Sequence, residues 1–473
     1  MEPFTQIISI LALFLVVRIC IYKRSIRNNT RKGIIKLVPI EPLGALPFVG
    51  HLHLLRGQAP PARILGKFAD DYGPIYTLRL GSRKAVVVSS WQMVKECFTT
   101  NDRNFATRPN MSISRHMVYN NAGFALASYG PYWREIRKMV TLELFTSQCL
   151  EKFKNVRSSE VKKFTNELST FFSDNANKAY VTDMSKWFEN ITFNITIQIL
   201  AGKRFSYWGG IDGNNNQDLH VHDAIKKGHV KAMKQVAKEV DGVVGKWLDE
   251  HVERRKENGD DHKDADFMDV MLSKLSKDAE MFGHGRETII KATTMVLMLT
   301  GSESTALTLT WALSLLLNNP YTLKAVQKEL DMNIGKDKWV EESDIKNLPY
   351  LQSIIKETLR LYPPGPLAGP HEAIQDCNIA GYHITKGTRL IVNIWKLHRD
   401  PQICTGRRMC PAITFAFQVV HLTLARLLQG FDLSTPMGNP VDMSEGLGVA
   451  LPKVKPLEVI ITPRLSQELY QNI

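Results

Sequence analysis

The chain has 473 residues, of which 44% are hydrophobic and 23% are charged, so it can bury a large core. Its formal charge of +13 is dispersed along the chain, without an arginine-rich tail or zinc-finger spacing, which argues against nucleic acid as a partner. A membrane surface or an acidic protein fits this charge better. The six cysteines are too scattered for a disulfide framework and indicate a reducing compartment.

The first residues predict a membrane anchor. Residues 7–22 are almost wholly apolar apart from Arg18, and this run approaches the ~17 to 25 residues that span a bilayer. Basic residues follow the run, so the positive-inside rule places the rest of the chain in the cytosol. The alternative, a cleaved signal peptide, carries its basic residues before the apolar run. We expect residues 1–24 to be a transmembrane signal anchor and residues 25–50, basic and rich in proline, to be a hinge.

The periodicity beyond the hinge predicts a mainly helical protein. Residues 75–80 and 84–89 form the clearest strand pair, around Gly81, and strands are otherwise few. Residues 229–256 predict a long charged helix. Residues 286–318 are apolar on nearly all sides, which is typical of a helix buried in the middle of a protein. The expected fold class is therefore mainly α with small β-sheets.

Trp133 and Arg137 lie four residues apart in a predicted helix. Their side chains share one face, which puts an indole N–H beside a guanidinium and suits a carboxylate ligand. The same spacing fits an ordinary amphipathic helix with a buried tryptophan.

The segment from Thr300 to Thr305 places Glu303 and several hydroxyls inside the predicted buried helix. Polar groups buried there destabilise the fold unless they are hydrogen-bonded, and an uncompensated group would indicate a function. The hydroxyls can bond back to the preceding turn, or they can deliver protons together with Glu303. Gly301 is expected to allow a local distortion.

Glu357 and Arg360 lie three residues apart on a helix that Pro363 and Pro364 stop. Such pairs are usually solvated. His371 follows shortly afterwards.

Cys410 lies just before the last long predicted helix, residues 416–428, for which Gly430 is expected as the C-cap. Unpaired N–H groups and the helix dipole stabilise a thiolate at such a place, and Pro411 loses nothing by lacking an N–H there. A thiolate is a good iron ligand. A cysteine near a helix start is also common as a plain buried residue.

The residues around Cys410 suit a bound cofactor. Gly406 gives the loop backbone freedom, Arg408 can face an anion, and Ala412 is small enough to let a flat cofactor approach.

These motifs, in this order, resemble those of the cytochrome P450 monooxygenases. The loop from Ile403 to Ala412 is similar to the family's haem-binding signature Phe-x-x-Gly-x-Arg-x-Cys-x-Gly, with Ile403 at the Phe position and Ala412 at the last Gly. The resemblance runs from Ile35 to Leu465 and is strongest to plant microsomal enzymes of specialised metabolism. It implies the cytochrome P450 fold behind an N-terminal membrane anchor, with the haem-thiolate domain at residues 51–473.

The resemblance also implies roles for individual residues. Cys410 becomes the axial thiolate ligand of the iron in haem b. Glu303, Ser304 and Thr305 become catalytic, with Glu303 as the acid and Ser304 where the oxygen-activating threonine belongs. Trp133 and Arg137 grip a haem propionate, which His371 can also reach, and Glu357 and Arg360 form a buried structural clamp. The remaining cofactor and pocket positions are Gly406, Arg408, Ala412, Leu299, Thr300, Leu367, Leu447, Val449 and Ala450.

By the same resemblance, NADPH–cytochrome P450 reductase supplies electrons at the endoplasmic reticulum membrane, with the catalytic domain facing the cytosol. A small apolar plant metabolite, such as a flavonoid, coumarin, terpenoid or alkaloid, is hydroxylated or demethylated with dioxygen.

The chain departs from the family pattern at two places, near residues 228 and 402. Several tens of residues are missing at each: the roof of the substrate pocket, and a stretch whose arginine completes the clamp. Arg399 is the candidate replacement for that arginine. The second hypothesis is therefore a truncated, non-catalytic relative, a splice form or gene-model product, with impaired haem binding.

Overall fold

The computed structural model describes residues 36–57, 59–173, 181–205, 230–258, 266–276, 280–399 and 410–471. The predicted anchor, the first part of the hinge, the two expected deletion points and the loop with Ile403, Gly406 and Arg408 lie outside the described residues. Within the described ranges, no helix has both the length and the apolar character that crossing a bilayer requires.

The described chain is rich in helices and has only small sheets, as predicted. The helices are α1 (Pro61–Tyr72), α2 (Trp91–Phe98), α3 (Ser112–His116), α4 (Pro131–Leu144), α5 (Ser147–Lys152), α6 (Lys154–Ser173), α7 (Met184–Ala201), α8 (Val230–Asn258), α9 (Phe267–Lys274), α10 (Arg286–Leu317), α11 (Pro320–Asn333), α12 (Pro349–Leu361), α13 (Ile394–Leu397), α14 (Ile413–Gly430) and α15 (Gln467–Gln471). The strands are β1 (Ile75–Leu80), β2 (Arg83–Val88), β3 (Val181–Asp183), β4 (Glu280–Met281), β5 (His284–Gly285), β6 (His371–Glu372), β7 (Cys377–Ile379), β8 (Tyr382–Ile384), β9 (Arg389–Val392), β10 (Phe431–Ser434) and β11 (Glu458–Pro463).

The largest sheet joins the two halves of the chain. Its strand order is β1-β2-β9-β6, with β1 antiparallel to β2 and β9 parallel to β2. The predicted strand pair is confirmed, with the second strand one residue earlier than expected, and Gly81 closes the turn at φ +62°. A second sheet has the order β10-β11-β3. Most helices between β2 and β9 share one hydrophobic core, separate from the cores on this sheet, and we call them the helical layer.

Helix α10 lies in the middle of that helical layer, as predicted. Its side chains are buried on all sides, for example Ile290, Met295, Leu309 and Leu313. The helix continues through Gly301 rather than being distorted there. A Cβ at position 301 would lie 3.5 Å from the Cγ2 of a threonine on α7. Position 301 therefore faces α7, the helix that contacts α10 most extensively, and a Cβ there would make an ordinary van der Waals contact.

Asp241 of α8 ties three segments together. Its Oδ1 accepts hydrogen bonds from the Tyr119 hydroxyl at 2.6 Å and from Lys291 Nζ, on α10, at 2.8 Å. Tyr119, Asn120 and Asn121 all have left-handed backbone conformations, with φ of 48°, 52° and 71°. Such conformations are unfavourable for residues other than glycine, so the surrounding contacts must hold them. The loop after α3 is therefore fixed against both long helices.

A buried histidine joins α8 to α9. His251 Nε2 lies 2.8 Å from Asp266 Oδ2, and Nδ1 lies 2.6 Å from the Trp247 carbonyl oxygen. Both neighbours are acceptors, so the ring satisfies them when both nitrogens carry protons. Burial alone would lower the pKa of His251, but the hydrogen bond and charge of Asp266 outweigh it and raise the pKa. Asp266 also caps α9 by accepting from the backbone N–H of Asp269.

The raised pKa of His251 sets the direction of a pH effect on stability. The protonated ring contributes fully to the free energy of unfolding below the unfolded pKa of about 6.5, and that contribution is lost as pH rises through the folded pKa. We expect His251→Gln to cost about 3 kcal/mol at about pH 6 and much less at about pH 9. Urea unfolding of wild type and variant across this pH range measures the difference.

His116→Gln, at a half-buried position on α3, is the control and should cost little at every pH. A cost at position 251 that stays the same from acid to alkaline pH would contradict a charged pair.

Candidate active site

Cys410 lies three residues before α14 begins, close to the predicted start, and its side chain is accessible. Partial removal of the sulfur from water raises the pKa of the thiol, and the backbone N–H of Ala412 and the charge of Arg137 oppose this without outweighing it. The sulfur of the free chain is therefore a thiol at neutral pH. A metal ion bound to it would supply the positive charge that favours the thiolate.

The other end of α14 differs from the prediction. Gly430 is the last helical residue, and the C-cap is Phe431 in an extended conformation. A Cβ at position 430 would lie 2.6 Å from Cη2 of Trp339. A glycine is thus needed at position 430 because the Trp339 ring packs closely there, and not because the helix ends in a left-handed conformation.

Helix α4 carries Trp133 and Arg137 to the cysteine. Trp133 is buried, and Cζ of Arg137 lies 5.4 Å from the centroid of its ring. Burial lowers the pKa of Arg137, and the charge of Cys410 opposes that shift. Phe145 and Phe415, with ring centroids 6.3 Å apart, join the end of α4 to the start of α14. The fold therefore brings together a thiol, a guanidinium and an indole from segments that are far apart in sequence.

His371 is buried in β6 on the edge of the largest sheet. Its Nδ1 lies 2.5 Å from the Phe105 carbonyl oxygen, and its ring lies 5.1 Å from that of Phe98. Its predicted contact with a propionate stays a prediction.

Arg108 lies beside His371 and was missed by the sequence argument. Its guanidinium donates to the carbonyl oxygens of Gly369 at 2.5 Å and Pro370 at 2.9 Å. Burial lowers the pKa of Arg108 to about 10, which leaves it positive at neutral pH. The signal in the sequence was a lone basic residue between the apolar Phe105–Ala106 pair and Pro109. A half-buried cation whose guanidinium is fixed by carbonyl groups is a candidate contact for an anionic group.

The hydroxyls in the middle of α10 bond back to the preceding turn, as one of the two interpretations expected. The donors and acceptors are Thr300 to Val296, Ser302 to Met298, Ser304 to Thr300 and Thr305 to Gly301, at 2.7 to 2.8 Å. Each hydroxyl keeps its oxygen lone pairs for accepting a further hydrogen bond. Backbone bonding alone therefore does not exclude proton transfer.

Ser304 and Thr305 lie on different faces of α10. Gly301 faces α7, and Thr305, one turn later on the same face, is 4% exposed. Ser304 shares the other face with Thr300, which is exposed, and is itself half-buried like Glu303. Ser304 is therefore better placed than Thr305 to reach a bound molecule.

Glu357 and Arg360 form a pair, but not a buried one. Nε and Nη2 of Arg360 donate to the two carboxylate oxygens of Glu357 at 2.7 Å each. The hydrogen bond from Arg360 lowers the pKa of Glu357. The side chains are 43% and 54% exposed for Arg360 and Glu357, so the prediction of a buried clamp is wrong. An exposed pair contributes only ~0 to 1 kcal/mol.

Arg399 does not replace the arginine that the clamp was expected to need. Its guanidinium donates to the carbonyl oxygens of Trp395 at 2.6 Å and Leu361 at 3.4 Å, and lies 3.9 Å from the Trp395 ring centroid. In the part of the chain that the structure describes, Glu357 forms its ion pair with Arg360 and none with Arg399.

The predicted pocket residues fall into three places. Leu299, on α10, packs against Met117 and against Met233 of α8. Leu447, Val449 and Ala450 lie in a loop that is fastened to α10 by the Trp311 indole, which donates to the Leu451 carbonyl at 2.7 Å. Leu447 and Val449 are 50% and 78% exposed. Leu367 instead packs partly against the core of the largest sheet.

Comparison with known proteins gives the family. The family model for cytochrome P450 matches residues 39–403, and this match ends before Cys410. A dimethylnonatriene synthase of Arabidopsis thaliana is 44% identical, covering 91% of this chain and 92% of the relative. A xanthotoxin 5-hydroxylase of the same plant is 40% identical over 98% of this chain and 99% of the relative. A nicotine N-demethylase of Nicotiana tomentosiformis is 41% identical over 92% and 94%.

Solved structures agree with this result. A zebra fish cytochrome P450, solved with abiraterone, superposes with a TM-score of 0.75 at 26% identity, covering 86% of this chain and 99% of that chain.

The alignments also show that the chain is short. The alignment with the xanthotoxin 5-hydroxylase has 525 positions, against 473 residues here, so at least 52 positions of that alignment have no residue of this chain.

Removal of the charge beside Cys410 tests the site. Arg137→Gln should weaken haem retention roughly tenfold, because a charge-assisted contact is lost. Arg134→Gln removes the same charge from the exposed side of the same helix and is the control, with haem retention expected to stay at the wild-type level. The ratio of haem absorbance to protein after gel filtration measures both. Equal losses in the two variants would show that only the net charge of the helix matters.

Proposed function

We propose that this chain, which belongs to the cytochrome P450 monooxygenase family, is a haem-thiolate enzyme that hydroxylates or demethylates a small apolar plant metabolite. The observation that carries the proposal is the meeting of Cys410, Arg137 and Trp133 at the start of α14. The names of two relatives denote a hydroxylation and an N-demethylation, and the plant enzymes of specialised metabolism are the ones the chain most resembles.

The described residues fit a haem. They offer one accessible thiol before a helix that packs on α10, with a guanidinium close enough to act on its pKa. Cys410 would be the iron ligand, and Trp133, Arg137, His371 and Ala412 would lie around the cofactor. Gly406 and Arg408 are assigned with them from the sequence alone. Bound haem would supply the activation of dioxygen, and the chain positions it.

The chain's own polar groups have two tasks in this proposal. Arg137 and Arg108 are half-buried cations with no need of a proton change, so they suit the binding of carboxylates on the cofactor. Glu303 and Ser304 hold and move protons on the half-buried face of α10, with the Ser304 oxygen accepting while its own proton is bonded to the Thr300 carbonyl. Leu299 and the loop with Leu447, Val449 and Ala450 exclude water from the substrate.

The proposal also covers the electron donor and the cellular location of the protein. NADPH–cytochrome P450 reductase is the expected electron donor, and the charge of +13 suits an acidic partner. Residues 7–22 would hold the chain in the endoplasmic reticulum membrane, with the catalytic domain in the cytosol.

A second candidate function is supported by a separate observation. At least 52 alignment positions have no counterpart in this chain, the family match stops at residue 403, and the Glu357–Arg360 pair is exposed. A chain that lacks segments near residues 228 and 402 would be a truncated relative that stays at the membrane without working haem.

The spectrum of the reduced, carbon-monoxide-treated protein separates the two candidates. We expect the full chain, expressed with a haem precursor, to give the Soret shift of thiolate ligation, and Cys410→Ser to lose it completely. Cys149→Ser is the control, because Cys149 is half-buried and lies on α5 with its Sγ bonded to the Leu142 carbonyl. A full chain that folds but takes up no haem supports the truncated relative instead.

A further inference from the structure

A buried ion pair joins α6 to the segment that precedes α12. Nε and Nη2 of Arg157 donate to the two carboxylate oxygens of Glu342, at 2.9 and 2.7 Å. The Arg157 side chain is 0% exposed and that of Glu342 is 11% exposed. Glu342 begins a short 3₁₀ helix, Glu342–Asn347. Unlike the exposed pair of Glu357 and Arg360, this pair is screened little by water and salt.

The same guanidinium lies against the start of α14. Cζ of Arg157 is 5.7 Å from the centroid of the Phe415 ring, within the range of a cation–π contact. Phe415 lies in the first turn of α14, five residues after Cys410. Arg157 therefore contacts the part of α14 that follows the cysteine directly.

The segment just before Glu342 is fixed to the last turns of α14. The Val340 N–H donates to Oε1 of Gln429 at 2.8 Å, and Nε of Arg426 donates to the Val340 carbonyl oxygen at 3.1 Å. Arg426 and Gln429 are both buried. Arg157 thus connects the first turn of α14 to a support that the far end of the same helix holds in place.

Stability alone does not explain this ion pair. Within the described residues, Nη1 of Arg157 has no hydrogen-bond partner. A buried donor without a partner is unfavourable, and apolar side chains often fill such a place with equal or greater stability. A pair with two parallel hydrogen bonds has one preferred orientation, which apolar side chains lack. The geometry of the pair therefore favours a role in orienting α14.

We propose that Arg157 is a positioning residue, which acts through Phe415 to fix the first turn of α14 and thereby the place of Cys410. The proposal rests on the function proposed above, because Cys410 matters there as the iron ligand. The pair of Arg157 and Glu342 takes the place of the buried clamp that was expected on α12.

Hydrogen exchange of the full chain tests the proposal without depending on haem. The chain is expressed without a haem precursor, and exchange of the backbone amides is followed by mass spectrometry. We expect Arg157→Gln to speed exchange in residues 416–420 roughly tenfold, because the first turns of α14 open more easily, and to leave residues 424–430 unchanged. Phe415→Leu keeps the ion pair but removes the ring, and it should have the same effect.

The effects of the two substitutions should not add. If Arg157 acts through Phe415, the double variant exchanges no faster than Arg157→Gln alone. Additive effects would show that the two residues act separately and would overturn the proposal. Phe415→Leu also decides the case in which Arg157→Gln does not fold, because it leaves Glu342 paired. Exchange at the wild-type rate in Phe415→Leu would likewise overturn the proposal.

Arg204→Gln is the matched control. Nε and Nη2 of Arg204 donate to Glu160 at 3.0 Å and to Glu167 at 2.7 Å, and both carboxylates lie on α6. The substitution removes a partner of the buried Glu160 carboxylate from the helix that carries Arg157. It should lower the midpoint of thermal unfolding and leave exchange in residues 416–420 at the wild-type rate. Equal acceleration in the control would reveal a general loss of stability, against the proposal.

The spectrum of the reduced, carbon-monoxide-treated protein gives a second measure when haem is bound. Arg157→Gln and Phe415→Leu should lose part of the thiolate-type Soret band, whereas Arg204→Gln should keep it. An unchanged band in both of the first two variants would overturn the proposal. A wild-type chain that takes up no haem contradicts the proposed function instead, and hydrogen exchange then still decides whether Arg157 positions α14.

Discussion

The fold depends on one constraint, which is that a 32-residue helix with apolar side chains on all its sides must be enclosed by protein. Helices α7, α8, α11, α12 and α14 meet this need by packing around α10. The enclosure has a chemical effect, because it leaves the polar segment around Ser304 as a half-buried stretch of an otherwise buried helix. It also draws α14, and with it Cys410, toward the same helix.

The charges at the site follow from that enclosure. Cys410 is deprived of part of its hydration, and neither the N–H of Ala412 nor the guanidinium of Arg137 fully compensates. The free chain thus has a neutral thiol where the family has a thiolate, and a bound cation completes the charge balance. Arg108 and Arg137 remain positive although both are partly removed from water. Arg137 therefore supplies positive charge that acts on the cysteine, and Arg108 supplies a second positive charge beside residues 369–370.

Features set by local pattern could be predicted from the sequence. The strand pair, the charged helix α8, the buried helix α10 and the position of Cys410 before α14 were all found within a few residues, because each depends on periodicity or on a helix end. Features set by contacts between distant parts of the chain could not be predicted. Gly430 is required by a tryptophan about 90 residues earlier, and the environment of Arg108 depends on residues 369–370, which are far away in the sequence.

The exposure of Glu357 and Arg360 could not be predicted for a different reason. The spacing correctly predicted that the two side chains pair, but whether a pair is buried depends on what covers it, and nothing within residues 356–364 carries that information. The family resemblance supplied the expectation of burial, and this chain lacks at least 52 positions of the longer alignment.

The left-handed run from Tyr119 to Asn121 has a consequence for protein engineering. Its backbone is held locally, by the N–H groups of Asn120 and Asn121 donating to carbonyl groups of α3, and its tyrosine is held by an aspartate on α8 that a lysine on α10 also contacts. Transplanting the loop into another scaffold without these two helical residues would transfer its sequence but would lose the contacts that hold its tyrosine. Conversely, a substitution at Asp241 or Lys291 would act on this loop from a distance, because the anchoring of its tyrosine depends on three separate stretches of the chain.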